Sequence, residues 1–342
     1  MDKAKNNKLT KIITGSAVAV VIIAIAMALP FFFSGAESTK MVYIYPGMTE
    51  TEFSDSLKAN FGKSYASRVM LLDNYRKIVT EKHAGAYRID EGMSPFRAWR
   101  KMSSGAQSPV KFTFNNVRTI DDFAKTASRQ LCMTDSDILK MLTDSAVCAS
   151  FGFNKQTIPA MLIPDTYEFY WTVKPEKMLE KMNESYKRFW NDSRKQKAAK
   201  LKLTPVEVST LASIVEEETA NSAEKGAVAR LYMNRLQKGM KLQSDPTVKF
   251  AVGDPSLRRI MHKHLFINSP YNTYKFQGLP PGPIRLPEKA TIDAVLNAPQ
   301  HDYIYMCAKE DFSGSHNFTS NYAEHMRNAR NYQAELNKRG IN

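Results

Sequence analysis

From Ile12 to Phe33 the chain carries no charged residue, a run long enough to cross a bilayer as one helix. Downstream, the apolar positions break into shorter stretches. Met41 to Tyr45 is apolar and β-rich and stops at the Pro46-Gly47 turn. Thr49 is placed to cap a helix carrying Phe53 and Leu57, and Val69 to Ile78 gives a second helical stripe. Ala86 to Ile89 returns as a short strand, so the segment to Met102 reads strand, helix, helix, strand, helix. The order recurs. Phe112, Phe114, Thr119 and Phe123 stand seventy residues after Val42, Ile44, Thr49 and Phe53; Tyr167, Pro175, Lys181 and Met182 stand eighty after Tyr87, Pro95, Lys101 and Met102. The change of offset is a ten-residue insertion between the helices and the returning strand, in the stretch holding Cys132 and Cys148. The pattern reads as two copies of one small unit, with chance similarity of short segments as the competing reading.

Pro164, Asp165 and Thr166 read as a turn before a strand from Tyr167 to Trp171. After Thr204 the chain turns to loops rich in Pro, Gly, Asn and Tyr, the kind that carry sites on a helical scaffold. Asn321 to Asn342 places Tyr322, Met326, Ala329 and Leu336 at helical spacing and closes the chain as a helix. Short strands among helices give an α+β fold class.

The chain has 342 residues, 43% of them hydrophobic, which suffices for more than one buried unit and argues against general disorder. Lys3, Lys5, Lys8 and Lys11 precede the apolar run, which predicts a cytoplasmic tail over residues 1–11, a membrane helix over 12–33, and export of everything after about Ser38. A cleavable signal peptide ending near Ser34-Gly35-Ala36 is the alternative, and the length of the apolar run counts against it. The four lysines explain only part of the +14 formal charge. Much of the rest lies from Lys187 to Lys202, read as a solvated helix or linker, with anionic lipid or an acidic envelope polymer as the other surfaces it would suit. Nothing resembles a nucleic-acid module, so no nucleic-acid partner is expected. In an oxidising compartment Cys132 and Cys148 are expected to form a disulfide, leaving Cys307 as an inert thiol in the strand-like run Tyr303 to Ala308. The cysteine spacing suits no zinc motif, and neither a metal nor a cofactor is expected.

The sequence LASIVEEET, Leu211 to Thr219, departs from an ordinary core helix. Thr204, followed by Pro205, is the better N-cap, with Ser209 as the other candidate. Leu211, Ile214 and Val215 fall on one helical face, and the next member of that stripe is Glu218. Burial disfavours the charged form of a carboxyl and raises its pKa, as a general acid near neutral pH requires. A structural reading stands beside this one, in which Glu218 pairs with Arg230 or Arg235. Glu216 and Glu217 are expected on the polar flank, toward solvent.

Further on come VARLYMNRLQKGMKLQSDPTVKFA (Val228 to Ala251), SPYNTYKFQGLPPGPI (Ser269 to Ile284) and GSHNFTSN (Gly314 to Asn321). With LASIVEEET and IPDTYEFYW (Ile163 to Trp171), the chain resembles the MltG/YceG family of endolytic murein transglycosylases, strongly from about residue 160 and more loosely before. The resemblance implies a single-pass inner-membrane enzyme whose exported part cuts within peptidoglycan glycan strands and leaves 1,6-anhydro-N-acetylmuramoyl ends. It implies a LysM-like subdomain, which coincides with the first βααβ unit (residues 40–107). A second such unit with the basic linker then occupies 108–200, and a mixed α+β catalytic domain 201–342. The family's catalytic glutamate, the acid before Thr, maps onto Glu218. Where many members have Glu-Lys-Glu, this chain has Glu216-Glu217-Glu218, and a charge at Glu217 close to Glu218 would raise the pKa of Glu218 further. Membrane lipid around residues 12–33, glycan strands and peptidoglycan synthases are the partners the resemblance implies.

Ordinary glycosidases need two carboxylates. A lytic transglycosylase works with one, because the attacking hydroxyl belongs to the substrate; Glu218 is expected to act as acid and then as base. Gln243, Ser244, Asp245, Thr247, Tyr271, Asn272 and Tyr274 offer the amides, hydroxyls and aromatic faces that hold sugars. Asp245 is also suited to tie a loop to backbone N–H groups, and Tyr271 and Tyr274 to pack in a core. His316 and Asn321 belong to the Gly314 loop motif, where His316 either forms a dyad with a glutamate or anchors the loop. The Pro280-Pro281-Gly282-Pro283 run is a candidate stiff rim. A non-catalytic peptidoglycan-binding scaffold and a water-using muramidase are the rival functions.

Overall fold

The computed structural model describes residues 2–254, 257 and 259–340, with side chains from residue 11 onward. The side chains of Lys3, Lys5 and Lys8 thus lie outside the described part, as do Ile341 and Asn342. The fold is α+β, with one N-terminal apolar helix and small sheets. α1 (Asp2–Phe33) contains the apolar stretch Lys11–Phe33, none of it buried, consistent with a single-pass membrane anchor. The chain divides into two units, Met1–Lys111 with Glu168–Val173, and Phe112–Tyr167 with Lys174–Asn342.

In the first unit β1 (Lys40–Ile44) pairs antiparallel with β2 (Gly85–Ile89), Lys40 facing Ile89 and Ile44 facing Gly85. Strand alternation sends Val42 and Ile44 into a core with Tyr87, Ile89 and Phe53. α2 (Glu50–Asp73) and α3 (Pro95–Ser103) complete that core through Leu57, Val69, Ala98 and Met102. Thr49 starts α2 with a capping box: its Oγ1 accepts from Glu52 N at 3.2 Å, and Glu52 Oε2 accepts from Thr49 N at 2.8 Å. Gly62, at φ +79°, breaks α2 into two halves, which is why the sequence reads as two helices. The second half stops at Asp73, short of Ile78, because the buried Asp73 carboxylate accepts from Ile78 N and folds the chain back.

In the second part of the chain β3 (Pro109–Phe114) pairs with β4 (Asp165–Tyr170). Between them come α4 (Ile120–Gln130), α5 (Asp135–Thr143) and α6 (Ser145–Ser150), and α7 (Pro175–Phe189) follows. Thr119 caps α4 with a capping box as Thr49 caps α2, and Pro175 opens α7 as Pro95 opens α3. Asp165 and Thr166 are not a turn: they begin β4, and Thr166 Oγ1 lies 2.8 Å from Thr113 Oγ1. The expected Cys132–Cys148 disulfide is also not formed. All three cysteines carry free thiols; Cys148 is buried, with its Sγ donating to Leu142 O at 3.3 Å, while Cys132 is half-buried.

Of the two readings of the basic run from Lys187 to Lys202, solvated helix or linker, the structure shows the helix. The run forms the end of α7 and α8 (Asp192–Lys200), whose Arg194 makes two hydrogen bonds to Asp293 at 2.8 and 2.9 Å and stacks over Phe189. α9 (Pro205–Glu218) starts at Thr204 with a capping box to Glu207 and packs on α10 (Lys225–Gln237) and α12 (Lys289–Leu296). Their shared core contains Leu211, Ile214, Val215, Val228, Leu231 and Val295; each side chain of this size contributes about 1.5–3 kcal/mol on full burial. α11 (Asp245–Val252), the hairpin of β5 (Tyr305–Ala308) with β6 (His316–Thr319), and α13 (Tyr322–Lys338) complete the unit.

Candidate active site

α9 carries its apolar stripe into the core and ends on the acid of that stripe. Leu211, Ile214 and Val215 are fully buried, and Glu218, the last helical residue, is half-buried, so its carboxyl is sheltered yet reachable. Tyr232 Oη of α10 donates to Glu218 Oε1 at 2.6 Å, and Ser244 Oγ donates to the same oxygen. Among the described residues no hydrogen bond reaches Oε2. Burial pushes this carboxyl above its ordinary pKa. The Ser244 and Tyr232 hydroxyls oppose the shift, the negative charge of Asp245 adds to it, and His316 works against it. Burial, and then the charge of Glu218, likewise hold the Tyr232 phenol far above its usual range, so Tyr232 is a donor here.

The structural alternative for Glu218 is not what the chain adopts. Arg230 donates to the carbonyls of Pro299 and Ala298, and Arg235 to those of Lys241 and Ile304 and to Gln243 Oε1. The neighbouring acids do not face solvent as their helical positions suggest. Arg285, itself buried, donates to Glu217 Oε1 at 2.8 Å and lies 3.4 Å from Glu216 Oε1; Arg118 binds the other Glu217 oxygen. Glu216 Oε2 accepts from Glu288 N at 2.9 Å. The charge of Glu217 is thus matched by two guanidinium groups, and the carboxylate that adds to the larger effect of burial in raising the Glu218 pKa is Asp245.

Ser244 is held on a loop built by hydroxyls. Its N–H donates to Thr273 Oγ1 at 3.0 Å, Thr247 Oγ1 donates to Ser244 O at 2.7 Å, and the Thr247 and Thr273 hydroxyls lie 2.8 Å apart. Gln243, at φ +53°, exposes a side chain clamped by Arg235. Asp245 is exposed and accepts from Tyr274 Oη at 2.6 Å, in place of the backbone N–H groups expected for it. These residues therefore gather around Glu218: Ser244 in direct contact, Asp245 with Tyr274 beside it, and Gln243 and Thr247 shaping the loop.

Others from the same motifs do different work. Asn272 is fully buried, its amide donating to Leu265 O and Ile267 O at 2.9 Å each and accepting from Tyr274 N. Tyr271 packs its ring on Phe250 and the core. Asn321 caps α13, its Oδ1 accepting from Glu324 N at 3.1 Å. His316 anchors its loop: its backbone N–H and its Nδ1 meet the two oxygens of Glu224 at 2.9 and 3.0 Å. In the Pro-Gly rim, a Cβ on Gly282 would lie 1.9 Å from Gln156 O, so this glycine permits a backbone-to-backbone approach.

The family model described as YceG-like matches residues 42–331. The chain belongs to that family. It is 31% identical over 274 residues to the endolytic murein transglycosylase of Bacillus subtilis (strain 168), covering 75% of this chain and 74% of that protein. It is 27% identical to the endolytic murein transglycosylase of Streptococcus pneumoniae (strain D39), covering 76% of this chain and 53% of that protein, so it spans about half the length of the streptococcal relative. It is also similar to the 2.6 Å crystal structure of a yceG-like protein from Listeria monocytogenes, with a TM-score of 0.58 at 27% identity, covering 85% of this chain and 99% of the other.

Tyr232 and Arg285 were missed from sequence. Both stand inside the motifs quoted above or directly after them, and each carries a signal: a tyrosine on an all-round buried helix needs a partner for its hydroxyl, and an arginine flanked by Ile284 and Leu286 needs one for its charge.

Proposed function

We propose that the chain is an endolytic lytic transglycosylase that cleaves the β-1,4 bond between N-acetylmuramic acid and N-acetylglucosamine within nascent peptidoglycan strands. Membership of the YceG-like family supports lytic transglycosylase activity. The observation that carries the finer reading is the half-buried Glu218 carboxyl, its pKa raised and both its hydroxyl donors on one oxygen. With Oε1 occupied as acceptor, the proton sits on Oε2 and is the one passed to the glycosidic oxygen. The C1–O bond then breaks, and the new carboxylate is held by the Tyr232 and Ser244 hydroxyls. That carboxylate next removes the proton from the C6 hydroxyl of the muramoyl sugar as its oxygen attacks C1, giving the 1,6-anhydro end and restoring the acid. No water is consumed.

One acid suffices because the attacking hydroxyl belongs to the substrate, and the neighbouring acids are engaged elsewhere: Glu216 and Glu217 by arginine, Asp245 by Tyr274. We assign glycan contact to the exposed Gln243 and Asp245 and to Tyr274, with His316 and Asn321 supporting the loop beside them. The reading also takes residues 40–107 as a LysM-like subdomain, 108–200 as a second βααβ-like unit, and 201–342 as the catalytic domain. It sets all three outside the cytoplasm on an inner-membrane anchor, beside peptidoglycan synthases. The test incubates the detergent-solubilised full chain with isolated sacculi and analyses the new ends by mass spectrometry. Anhydro ends that vanish in Glu218→Gln are expected. Reducing ends would make it a hydrolase, and binding without new ends a scaffold.

A further inference from the structure

Beside the end of α1 lies a cleft with no part in the chemistry above. One wall is α1, through Ala24, Met27, Ala28 and Phe31; the other is the C-terminal end of α2 and the start of α3, through Leu71, Tyr75 and Phe96. The second wall is unusual for a face of a folded domain: Leu71 is 55% exposed and Tyr75 88%. The Phe32 and Phe96 rings, 4.9 Å apart, join the two walls, and Trp99 extends the aromatic row 5.8 Å from Phe96 while donating to Arg76 O.

Depth decides what fills this cleft. Ile12 to Phe33 spans about 33 Å as a helix, hardly more than the ~30 Å hydrocarbon core, so α1 has little length to spare and Phe33 belongs at the headgroup boundary. Ala24 to Met27 then lie about 9–13 Å inside that boundary. Leu71 and Tyr75 line the same cleft as these residues and the terminal Phe31 and Phe32, which brings them to the leaflet side of that boundary. Charge agrees. The stretches 68–79 and 94–104 carry Arg68, Arg76, Lys77, Arg97, Arg100 and Lys101; Lys77 is paired with Glu50, and the one acid within the stretches, Asp73, is buried. Exposed apolar and aromatic side chains ringed by cations match the acyl boundary and anionic headgroups of a leaflet.

The geometry points to a membrane-docking face on the first unit, in which Leu71, Tyr75 and Phe96 enter the leaflet where α1 ends and phospholipid acyl chains fill the cleft. The inference rests on α1 being a membrane anchor, and the test separates the two. The full chain is reconstituted into phosphatidylethanolamine and phosphatidylglycerol vesicles, with or without dibrominated acyl chains, which quench tryptophan emission on contact. Leu71→Trp and Tyr75→Trp are the reporters, Val20→Trp reports on the anchor, and Tyr170→Trp, on an exposed strand position, reports on solvent; each spectrum is read as a difference from the parent. Reporters 71 and 75 are expected to shift to the blue and be quenched as strongly as reporter 20, with 170 unaffected. If 20 is quenched while 71 and 75 behave like 170, the docking face is wrong and the anchor stands. If 20 is not quenched, the anchor reading fails and takes the docking face with it.

Discussion

Removing the Tyr232 hydroxyl tests whether Glu218 works by ionising in place. Tyr232 is 2% exposed, and its Oη lies 2.6 Å from Glu218 Oε1. Tyr232→Phe keeps the ring and the packing of α10 but deletes a hydrogen bond that favours the carboxylate over the acid. A hydrogen bond to a charged partner contributes about 1.5–3 kcal/mol. If proton donation limits the rate, that loss appears as a roughly 10- to 150-fold fall in kcat, with KM little changed. The pH profile supplies a readout that mere loosening would not move. The Tyr232 bond lowers the Glu218 pKa against the larger raising effect of burial, so without it the pKa rises. In the proposed mechanism the active form is protonated, and the alkaline limb of kcat should therefore move to higher pH. The assay is the rate of anhydro-muropeptide release from sacculi by the solubilised full chain across a pH series. Wild-type kcat together with an unmoved alkaline limb would refute the reasoning.

Glu218→Gln should abolish that release yet leave the fold no less stable at neutral pH. The Glu218 pKa is raised in the folded state, so its favourable contribution is full below the ordinary carboxyl value of 4.5 and is lost as pH rises through the folded pKa. Glutamine escapes that loss, and urea denaturation at neutral pH showing a less stable variant would contradict this. Arg285→Met strips a buried cation from two glutamates whose side chains are 7% and 13% exposed, and should cost about 3–5 kcal/mol, whereas Arg118→Met, at a side chain 46% exposed, should cost about 1 kcal/mol or less. Equal denaturation midpoints for the two variants would count against it. Gly282→Ala forces a Cβ onto the Gln156 carbonyl and should destabilise by about 1–3 kcal/mol; an unchanged melting temperature would show that the rim yields freely. Alkylation of the unfolded, unreduced chain should modify all three cysteines, and a mass two thiols short would restore the disulfide.

What could be read from sequence was what local periodicity and local caps determine. The α9 stripe, its Thr204-Pro205 start and the acid at its end followed from spacing, because each depends on residues within a few turns. The capping threonine at 49 was legible for the same reason, and Thr119 as its counterpart seventy residues on. Residues whose partners are remote were not. Asn272 looked like a sugar ligand because an amide in a loop can turn either way, and only the fold shows it saturated by two carbonyls. Glu216 and Glu217 sit on the expected flank of the helix, but that flank meets Arg285, 68 residues beyond Glu217, and not water. The Cys132–Cys148 expectation failed on the same ground: spacing permits a bond that the burial of Cys148 against α5 does not use.

The three consecutive glutamates are treated unequally by the fold, in a way that suits the acid role proposed for Glu218. They lie at the C-terminus of α9, where the helix dipole is negative and disfavours another anion. Three ionised carboxylates there would repel one another, and the fold resolves the conflict unequally. Glu216 and Glu217 receive guanidinium groups and backbone or side-chain donors, so their charge is compensated. Glu218 receives two neutral hydroxyls, and among the described residues no ion pair joins it to a cation. In the proposed mechanism neutral donors stabilise the carboxylate as it forms, whereas a bound arginine would favour the charged form throughout and hold the carboxyl pKa down. The charge of the second glutamate is accommodated because Arg118 and Arg285 both reach it, which leaves the proton of Glu218 under the control of burial, Asp245 and two hydroxyls.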